Sequence, residues 1–219
     1  VDADLINKTQ ALIKTRLITL DGKKLEKFDI NTEEKALAAK AKIEAQEFAV
    51  ANVERKKATR YPAAPFTTST LQQEAARKLR FSAKKTMQIA QKLYEDGLIT
   101  YMRTDAVNLS KEAIAACRDV IVKYFGDEYL PKAPKEYKTK SKNAQEAHEA
   151  IRPAHVDETP KKLETKLDSD AHKLYELIWK RTVACQMNPA IMDKVTVDAT
   201  SADGKIVLRA NGQDINFDG

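Results

Sequence analysis

The spacing of hydrophobic residues changes twice along the chain. Near both ends, apolar and β-branched residues form short runs around Asp-Gly turns, a pattern that predicts β-strands. Between about residues 61 and 187, apolar residues recur every three or four positions, as on one face of an amphipathic helix. The sequence therefore predicts an α+β fold, with a helical domain (61–187) inserted into a small β-rich domain (1–60 and 188–219).

The expected strands of the β-rich domain follow from local turn signals. A hairpin is predicted with residues 11–20 as its first strand, Asp21-Gly22 as its turn and residues 24–30 as its return. Asp2 and Asp4 are assigned to a frayed terminus without a function. Further strands are expected at residues 48–53, 194–199, 205–210 and 214–217, and a charged run at 54–57 is expected to leave the sheet.

Capping residues mark the helices of the middle region. Helices are predicted at residues 68–79, 83–96, 111–125 and 169–187. Their expected caps are Thr68 or Ser69, Ser82, Ser110, and Asp168 or Ser169. The second helix carries a polar row formed by Lys84, Gln88 and Lys92. Its apolar side is expected to include Leu93 and Tyr94. Two helices joined by a three-residue break and followed by a strand have the outline of a winged helix-turn-helix, a DNA-binding motif.

The stretch from residue 98 to 105 holds the most informative pair of side chains. Gly97 is the expected end of the preceding helix, and the β-branched residues after it predict a short strand. Alternation along the strand would then place Ile99, Tyr101 and Arg103 on one face. There the Tyr101 phenol and the Arg103 guanidinium could contact the same phosphate. The alternative is an exposed strand end with no chemistry.

The distribution of charge narrows the class of partner. The formal net charge is +6, and residues 51–104 hold eleven Lys and Arg against four acidic residues, which leaves +7 in that quarter of the chain. Such a cluster of basic residues is typical of a surface that binds the phosphate backbone of a nucleic acid. The competing interpretation is a charged surface that only keeps the protein in solution.

Several other functions are excluded by missing patterns. No apolar run is long enough to cross a bilayer. The two cysteines, Cys117 and Cys185, are too few for a disulfide framework or a cysteine-rich zinc site. This low number of cysteines is consistent with a reducing cytoplasm. There is no Gly-rich phosphate loop for ATP and no serine in a nucleophile-elbow context. A zinc site of the HExxH type lacks its second histidine, because Arg152 stands there. By elimination, Tyr101 is the candidate nucleophile.

Three segments carry a family resemblance. PFTTSTLQ (residues 65–72), GLITYMRTD (97–105) and QEAHEAIRP (145–153) resemble the motifs of type IA DNA topoisomerases, in particular the bacterial topoisomerase I group. The resemblance implies that Tyr101 attacks single-stranded DNA to form a 5′-phosphotyrosine link, so that strand passage and resealing relax negative supercoils without ATP.

The resemblance also implies roles for the surrounding residues. Arg103 would stabilise charge on the phosphate, and His148 would contact a phosphate near the site. The remaining candidates for DNA or phosphate binding are Glu149, Arg152, Thr100, Asp105, Lys84 and Lys92. From the residues alone, His148 could equally belong to a solvated turn before Pro153.

The family resemblance extends to domain roles and cofactors. It implies that residues 1–60 and 188–219 form a β arch that lets the tyrosine domain swing open. Mg²⁺ would be held by a separate metal-binding domain that has no counterpart here. We therefore expect a fragment that is inactive alone, with single-stranded DNA and that domain as partners, in the cytoplasm near the nucleoid. The rival hypotheses are a winged-helix DNA-binding module without catalysis and, more distantly, a protein-interaction fragment.

Overall fold

A computed structural model describes residues 1–6, 9–137 and 149–219. The chain divides into two compact units: the first comprises Val1–Arg60 and Ile191–Asp218, and the second comprises Tyr61–Ala190 and Gly219. Each unit has its own hydrophobic core. Helices and antiparallel strands are both present, so the predicted α+β class is confirmed. No helix of the described part is long and apolar enough to span a membrane.

The first unit is built on a six-stranded sheet with one helix. Its elements are β1 (Asp2–Ile6), β2 (Leu12–Leu20), β3 (Lys23–Lys24), α1 (Glu33–Glu44), β4 (Phe48–Arg60), β5 (Ala190–Ser201) and β6 (Val207–Phe217). The strand order is β1-β2-β6-β5-β4, with β3 paired to β2. The chain leaves the sheet after β4 and returns to it as β5.

The two faces of this sheet differ in polarity. Leu17 of β2 lies opposite Leu208 of β6, and both are buried in a cluster that includes Ala39 and Ile43 of α1. The next residue of β6, Arg209, points to the opposite face of the sheet. Its guanidinium donates two hydrogen bonds to the carboxylate of Asp198 on β5, at 2.7 and 2.8 Å. The core of this unit therefore lies between α1 and one face of the sheet.

Four predictions about the first unit were wrong. Asp2 and Asp4 lie in the paired strand β1 and not at a frayed terminus. The strand is held because it pairs with β2 and because Ala3 and Leu5 pack against the core. The return strand predicted over residues 24–30 is replaced by the two-residue strand β3, because β1 and β6 are the strands that pair along the length of β2. The charged run at 54–57 continues β4, and the two strands expected between 205 and 217 are the single strand β6.

The second unit is helical. It contains α2 (Thr68–Leu79), α3 (Ala83–Glu95), α4 (Lys111–Tyr124), α5 (Pro160–Leu163) and α6 (Ser169–Ala184), with a 3₁₀ turn at Asp127–Tyr129. Ser82, Ser110 and Asp168 cap their helices through backbone N–H groups, which confirms those three caps. Thr67, rather than Thr68 or Ser69, caps α2 in a reciprocal arrangement with Thr70.

The long helix α6 is the centre of this unit. It contacts α2, α3, α4 and α5. Leu174, Ile178 and Trp179 are buried on it, and the Trp179 indole N–H donates to the carbonyl oxygen of Val156 at 2.7 Å. Packing against α6 thus fixes the helix pair α2–α3, which leads into the candidate site.

The short strand predicted in the first half of residues 98–105 was also wrong. Among the described residues, this stretch pairs only through one isolated bridge, between Ile99 and Pro153. A second isolated bridge joins Phe66 to Ile151. The helix-turn-helix elements α2 and α3 are present, but the segment that follows them is an anchored loop instead of a strand.

Candidate active site

The end of α3 directs the chain into the loop that holds Tyr101. Gly97 has φ +71°, a left-handed conformation that glycine adopts without steric cost. Its N–H donates to the carbonyl oxygen of Tyr94, and the N–H of Leu98 donates to that of Leu93, both at 2.9 Å. These two bonds form a Schellman motif, so the predicted helix stop at Gly97 is confirmed.

The loop is held on one side by the segment around Arg152. The N–H of Thr100 donates to the carbonyl oxygen of Arg152, and the N–H of Ala154 donates to that of Leu98, both at 2.9 Å. The Thr100 hydroxyl donates to the carbonyl oxygen of Ala150 at 2.7 Å and accepts from the N–H of Arg152 at 2.9 Å. Thr100 is thus a clamp between two segments.

On the other side, Thr68 at the start of α2 holds the loop. Its hydroxyl donates to the carbonyl oxygen of Met102 at 2.7 Å and accepts from the N–H of Thr104 at 2.9 Å. The Thr68 N–H also donates to the carbonyl oxygen of Thr104 at 2.9 Å. The backbone is therefore anchored both before and after Tyr101.

Between these anchors, side chains alternate between solvent and core. Tyr101, Arg103 and Asp105 are exposed, whereas Met102, Thr104 and Ala106 are buried. Tyr101 and Arg103 therefore share an exposed face, as the alternation predicts. Ile99 does not join them, because it is buried at its bridge to Pro153 and the inward-facing Thr100 clamp follows it.

Tyr101 and Arg103 are both accessible to a ligand. Tyr101 is 40% exposed, and its ring lies edge-on to that of Tyr94, with 5.3 Å between the centroids and 66° between the planes. Arg103 makes no hydrogen bond or ion pair with any residue that the structure describes.

Arg152 and Glu149 bind each other. The Arg152 Nε and Nη2 atoms donate to one carboxylate oxygen of Glu149 at 3.1 and 2.5 Å, and Nη1 donates to the carbonyl oxygens of Pro153 and Ala154. The other Glu149 oxygen accepts the N–H of Ser110 at the start of α4. With its side chain only 13% exposed, Arg152 joins protein segments and leaves little surface for a phosphate.

The other predicted DNA contacts are dispersed. His148 lies outside the described residues. Lys84 and Asp105 are exposed, and neither forms an ion pair with a described residue. Lys92 lies 3.4 Å from the carboxylate of Asp168, the cap of α6. The pKa of Asp168 is lowered by the N–H of Ala171 and by Lys92.

The basic residues between positions 51 and 104 are divided between the two units. Arg55, Lys56, Lys57 and Arg60 lie on β4 in the first unit, and the other seven cations lie in the second. Lys85 is paired with Asp170 at 2.6 Å, and its ammonium also lies over the ring of Phe81. Contiguous charge in the sequence is thus divided by the boundary after Arg60.

Metal-ligating side chains do not converge in the described ranges. Within residues 1–6, 9–137 and 149–219, no three His, Cys, Asp or Glu side chains form a group that could hold a metal ion.

Two functional features of this region were missed by sequence reasoning. The sequence suggests Thr68 only as a helix cap, although its hydroxyl holds the Tyr101 loop. The helical pattern assigns Tyr94 to the apolar side of α3 and gives no sign that its ring contacts Tyr101. The helical pattern could locate Tyr94 on the last turn of α3, but not the loop that folds back beside it.

Comparisons with known proteins agree across the whole chain. A family model described as DNA topoisomerase matches residues 1–219. DNA topoisomerase 1 of Rickettsia felis is 53% identical over 97% of this chain, and that of Zymomonas mobilis is 49% identical over 100%. This chain covers 28% and 17% of those two proteins.

A solved structure gives the same result for the fold. Full-length topoisomerase I from Thermotoga maritima superposes with a TM-score of 0.73 at 36% identity, covering 94% of this chain and 33% of that one. The chain thus spans about a third of the length of this relative and less than a third of the curated ones.

Proposed function

The chain belongs to the DNA topoisomerase family, and we propose that it is the part of a bacterial type IA enzyme that carries the active-site tyrosine. The reaction is cleavage and religation of single-stranded DNA, which relaxes negative supercoils without ATP. The observation that carries this proposal is that Tyr101 and Arg103 lie on one exposed face of a loop anchored at both ends, with Arg103 bound to none of the residues that the structure describes.

Tyr101 acts as the nucleophile. Its phenolic oxygen attacks the phosphorus of a phosphodiester and loses its proton, while the bond from phosphorus to the 3′ oxygen breaks. The 3′ oxygen takes up a proton and leaves as a hydroxyl, and the 5′ phosphate stays on Tyr101. Because one phosphate ester replaces another, the reverse attack by the 3′ hydroxyl reseals the strand without an external energy source.

Arg103 stabilises the charge that develops on the phosphate oxygens. Its guanidinium offers a planar fork of donors that suits a phosphate, and its exposure leaves those donors available. Such preorganised donors matter most in the transition state, where the negative charge on the phosphate is greatest.

The other candidates divide into contacts and supports. His148 contacts a phosphate beside the site, and Asp105 and Lys84 lie along the bound strand, whereas Lys92 is held by Asp168. Thr100, Glu149 and Arg152 act differently from the phosphate-binding role expected of them. Their hydrogen bonds hold the Tyr101 loop and the segment that follows His148.

The two units have different tasks in this proposal. The helical unit carries the nucleophile, and the β-rich unit serves as the arch about which the helical unit swings to admit a second strand. Mg²⁺ and the domain that ligates it lie outside this chain, so the chain alone cleaves DNA poorly or not at all. The enzyme works on chromosomal DNA in the cytoplasm.

A winged-helix DNA-binding module without catalysis is the second candidate, and the helix pair α2–α3 favours it. Two of the lysines on α3 are, however, paired with acidic residues at the start of α6, Lys85 with Asp170 and Lys92 with Asp168. A winged-helix regulator would prefer duplex DNA of a particular sequence, whereas a topoisomerase would prefer single strands.

Covalent trapping tests the proposed function. A full-length enzyme carrying this chain is mixed with Mg²⁺ and a single-stranded oligonucleotide labelled at either end, and the mixture is then denatured. A 5′-phosphotyrosine link predicts that the 3′ label stays with the protein and the 5′ label is released. The adduct should vanish in Tyr101→Phe and persist in Tyr124→Phe, an exposed tyrosine of α4. Retention of the adduct in Tyr101→Phe would refute the assignment.

A further inference from the structure

The ring of Tyr101 has one recorded aromatic neighbour in the described part of the chain, Tyr94. We propose that Tyr94 is a positioning residue that holds the Tyr101 ring in the orientation from which its hydroxyl reacts. The inference rests on the proposed role of Tyr101 as the nucleophile.

The first argument is what the loop anchors leave free. Hydrogen bonds at Thr100, Met102 and Thr104 fix the backbone on both sides of Tyr101. They do not fix rotation about the side-chain bonds, and an exposed tyrosine can occupy several staggered rotamers. The edge-on contact with Tyr94, at 5.3 Å between the centroids, favours one of them.

The second argument is that Tyr94 stands on a rigid platform. It lies in the last turn of α3, where Ala90 and Leu93 are fully buried. Its carbonyl oxygen accepts the N–H of Gly97 in the motif that closes the helix. The Tyr94 backbone is therefore fixed by the same bonds that start the Tyr101 loop.

The third argument is that the Tyr94 ring contributes little to the core. Tyr94 is itself 40% exposed, although it neighbours the fully buried Leu93. A large aromatic side chain that leaves so much surface in solvent is a weak contributor to packing. Its contact with the nucleophile accounts for its position better than core stability does.

The test compares variants of a full-length enzyme carrying this chain. Tyr94→Phe keeps the ring, Tyr94→Leu keeps apolar volume without a ring, and Tyr94→Ala removes both. Tyr124→Ala is the control, because Tyr124 is also exposed and lies on α4. The measurements are the single-turnover rate of covalent complex formation and the Kd for a single-stranded oligonucleotide.

An aromatic pair of this kind corresponds to roughly a 2- to 10-fold effect on the rate. We expect Tyr94→Leu and Tyr94→Ala to be slower by that factor, with an unchanged Kd, and Tyr94→Phe and Tyr124→Ala to match the wild type. Wild-type rates in Tyr94→Leu and Tyr94→Ala would overturn the proposal. So would a Tyr94→Phe variant as slow as Tyr94→Ala, or a loss confined to Kd, which would make Tyr94 a DNA contact.

A second readout does not depend on cleavage. In protein labelled with fluorotyrosine, the ¹⁹F signal that disappears in Tyr101→Phe belongs to Tyr101, and it should shift in Tyr94→Leu but not in Tyr124→Ala. A shift without a change in rate contradicts only the positioning role. A wild-type enzyme that forms no covalent complex contradicts the proposed function itself, and the positioning role of Tyr94 with it.

Discussion

The Thr100 clamp can be removed with almost no change in side-chain shape. In Thr100→Val, the hydroxyl that donates to the carbonyl oxygen of Ala150 at 2.7 Å and accepts from the N–H of Arg152 at 2.9 Å becomes a methyl group. Ala150 is fully buried, so its carbonyl oxygen has little access to water. Two backbone groups therefore lose a partner.

The size of the loss follows from those two groups. A buried donor or acceptor left without a partner costs about 1–3 kcal/mol. Thr100 is half-buried, and water can reach part of the site, so the lower end of the range applies to each group. We expect Thr100→Val to lower the free energy of unfolding of the second unit by about 2 kcal/mol.

The assay uses the single tryptophan of the chain, which reports on this unit. Trp179 is buried on α6, so its fluorescence should change when the second unit unfolds in urea. Thr100→Ser is the matched control, because it keeps the hydroxyl, and it should remain close to the wild type. Equal midpoints for Thr100→Val and Thr100→Ser would refute the clamp.

Three further predictions concern the same region. Arg103→Ala should leave the free energy of unfolding within about 0.5 kcal/mol of the wild type. It should nevertheless slow covalent complex formation on the order of 10²-fold, and Arg103→Lys should be intermediate. Equal rates in Arg103→Ala and the wild type would remove Arg103 from the mechanism. Gly97→Ala should cost about 1 kcal/mol in urea unfolding, because φ is positive while the space at its Cβ is open; an unchanged midpoint would contradict this. The lowered pKa of Asp168 means that its charged form stabilises the folded state at neutral pH. This stabilisation is lost as the pH falls below about 4. The urea midpoint of Asp168→Asn should therefore lie below that of the wild type at pH 7 and approach it at low pH; a constant difference would refute the linkage.

Local signals allowed much of the helical unit to be predicted. Ser82, Ser110 and Asp168 cap their helices with their own side chains, so the information lies within three residues of each cap. Gly97 is equally local, because only its own φ and the preceding turn are involved.

The errors arose where the deciding partner is distant in sequence. The segment after Gly97 has strand-forming residues, but its partner around Pro153 lies more than fifty residues away and pairs at one position only. The ion pair of Arg152 with Glu149 was not predicted, because it lies in an irregular segment that has no periodic signature. The contact of Tyr94 with Tyr101 likewise depends on how the loop folds back on α3.

Mapping the covalent adduct tests the central claim most directly. After trapping with single-stranded DNA and nuclease trimming, trypsin should release a peptide that runs from Leu93 to Arg103 and contains both Tyr94 and Tyr101. Fragmentation in the mass spectrometer distinguishes the two. We predict that the nucleotide remnant lies on Tyr101. A remnant on Tyr94, or on a tyrosine outside this peptide, would contradict the account.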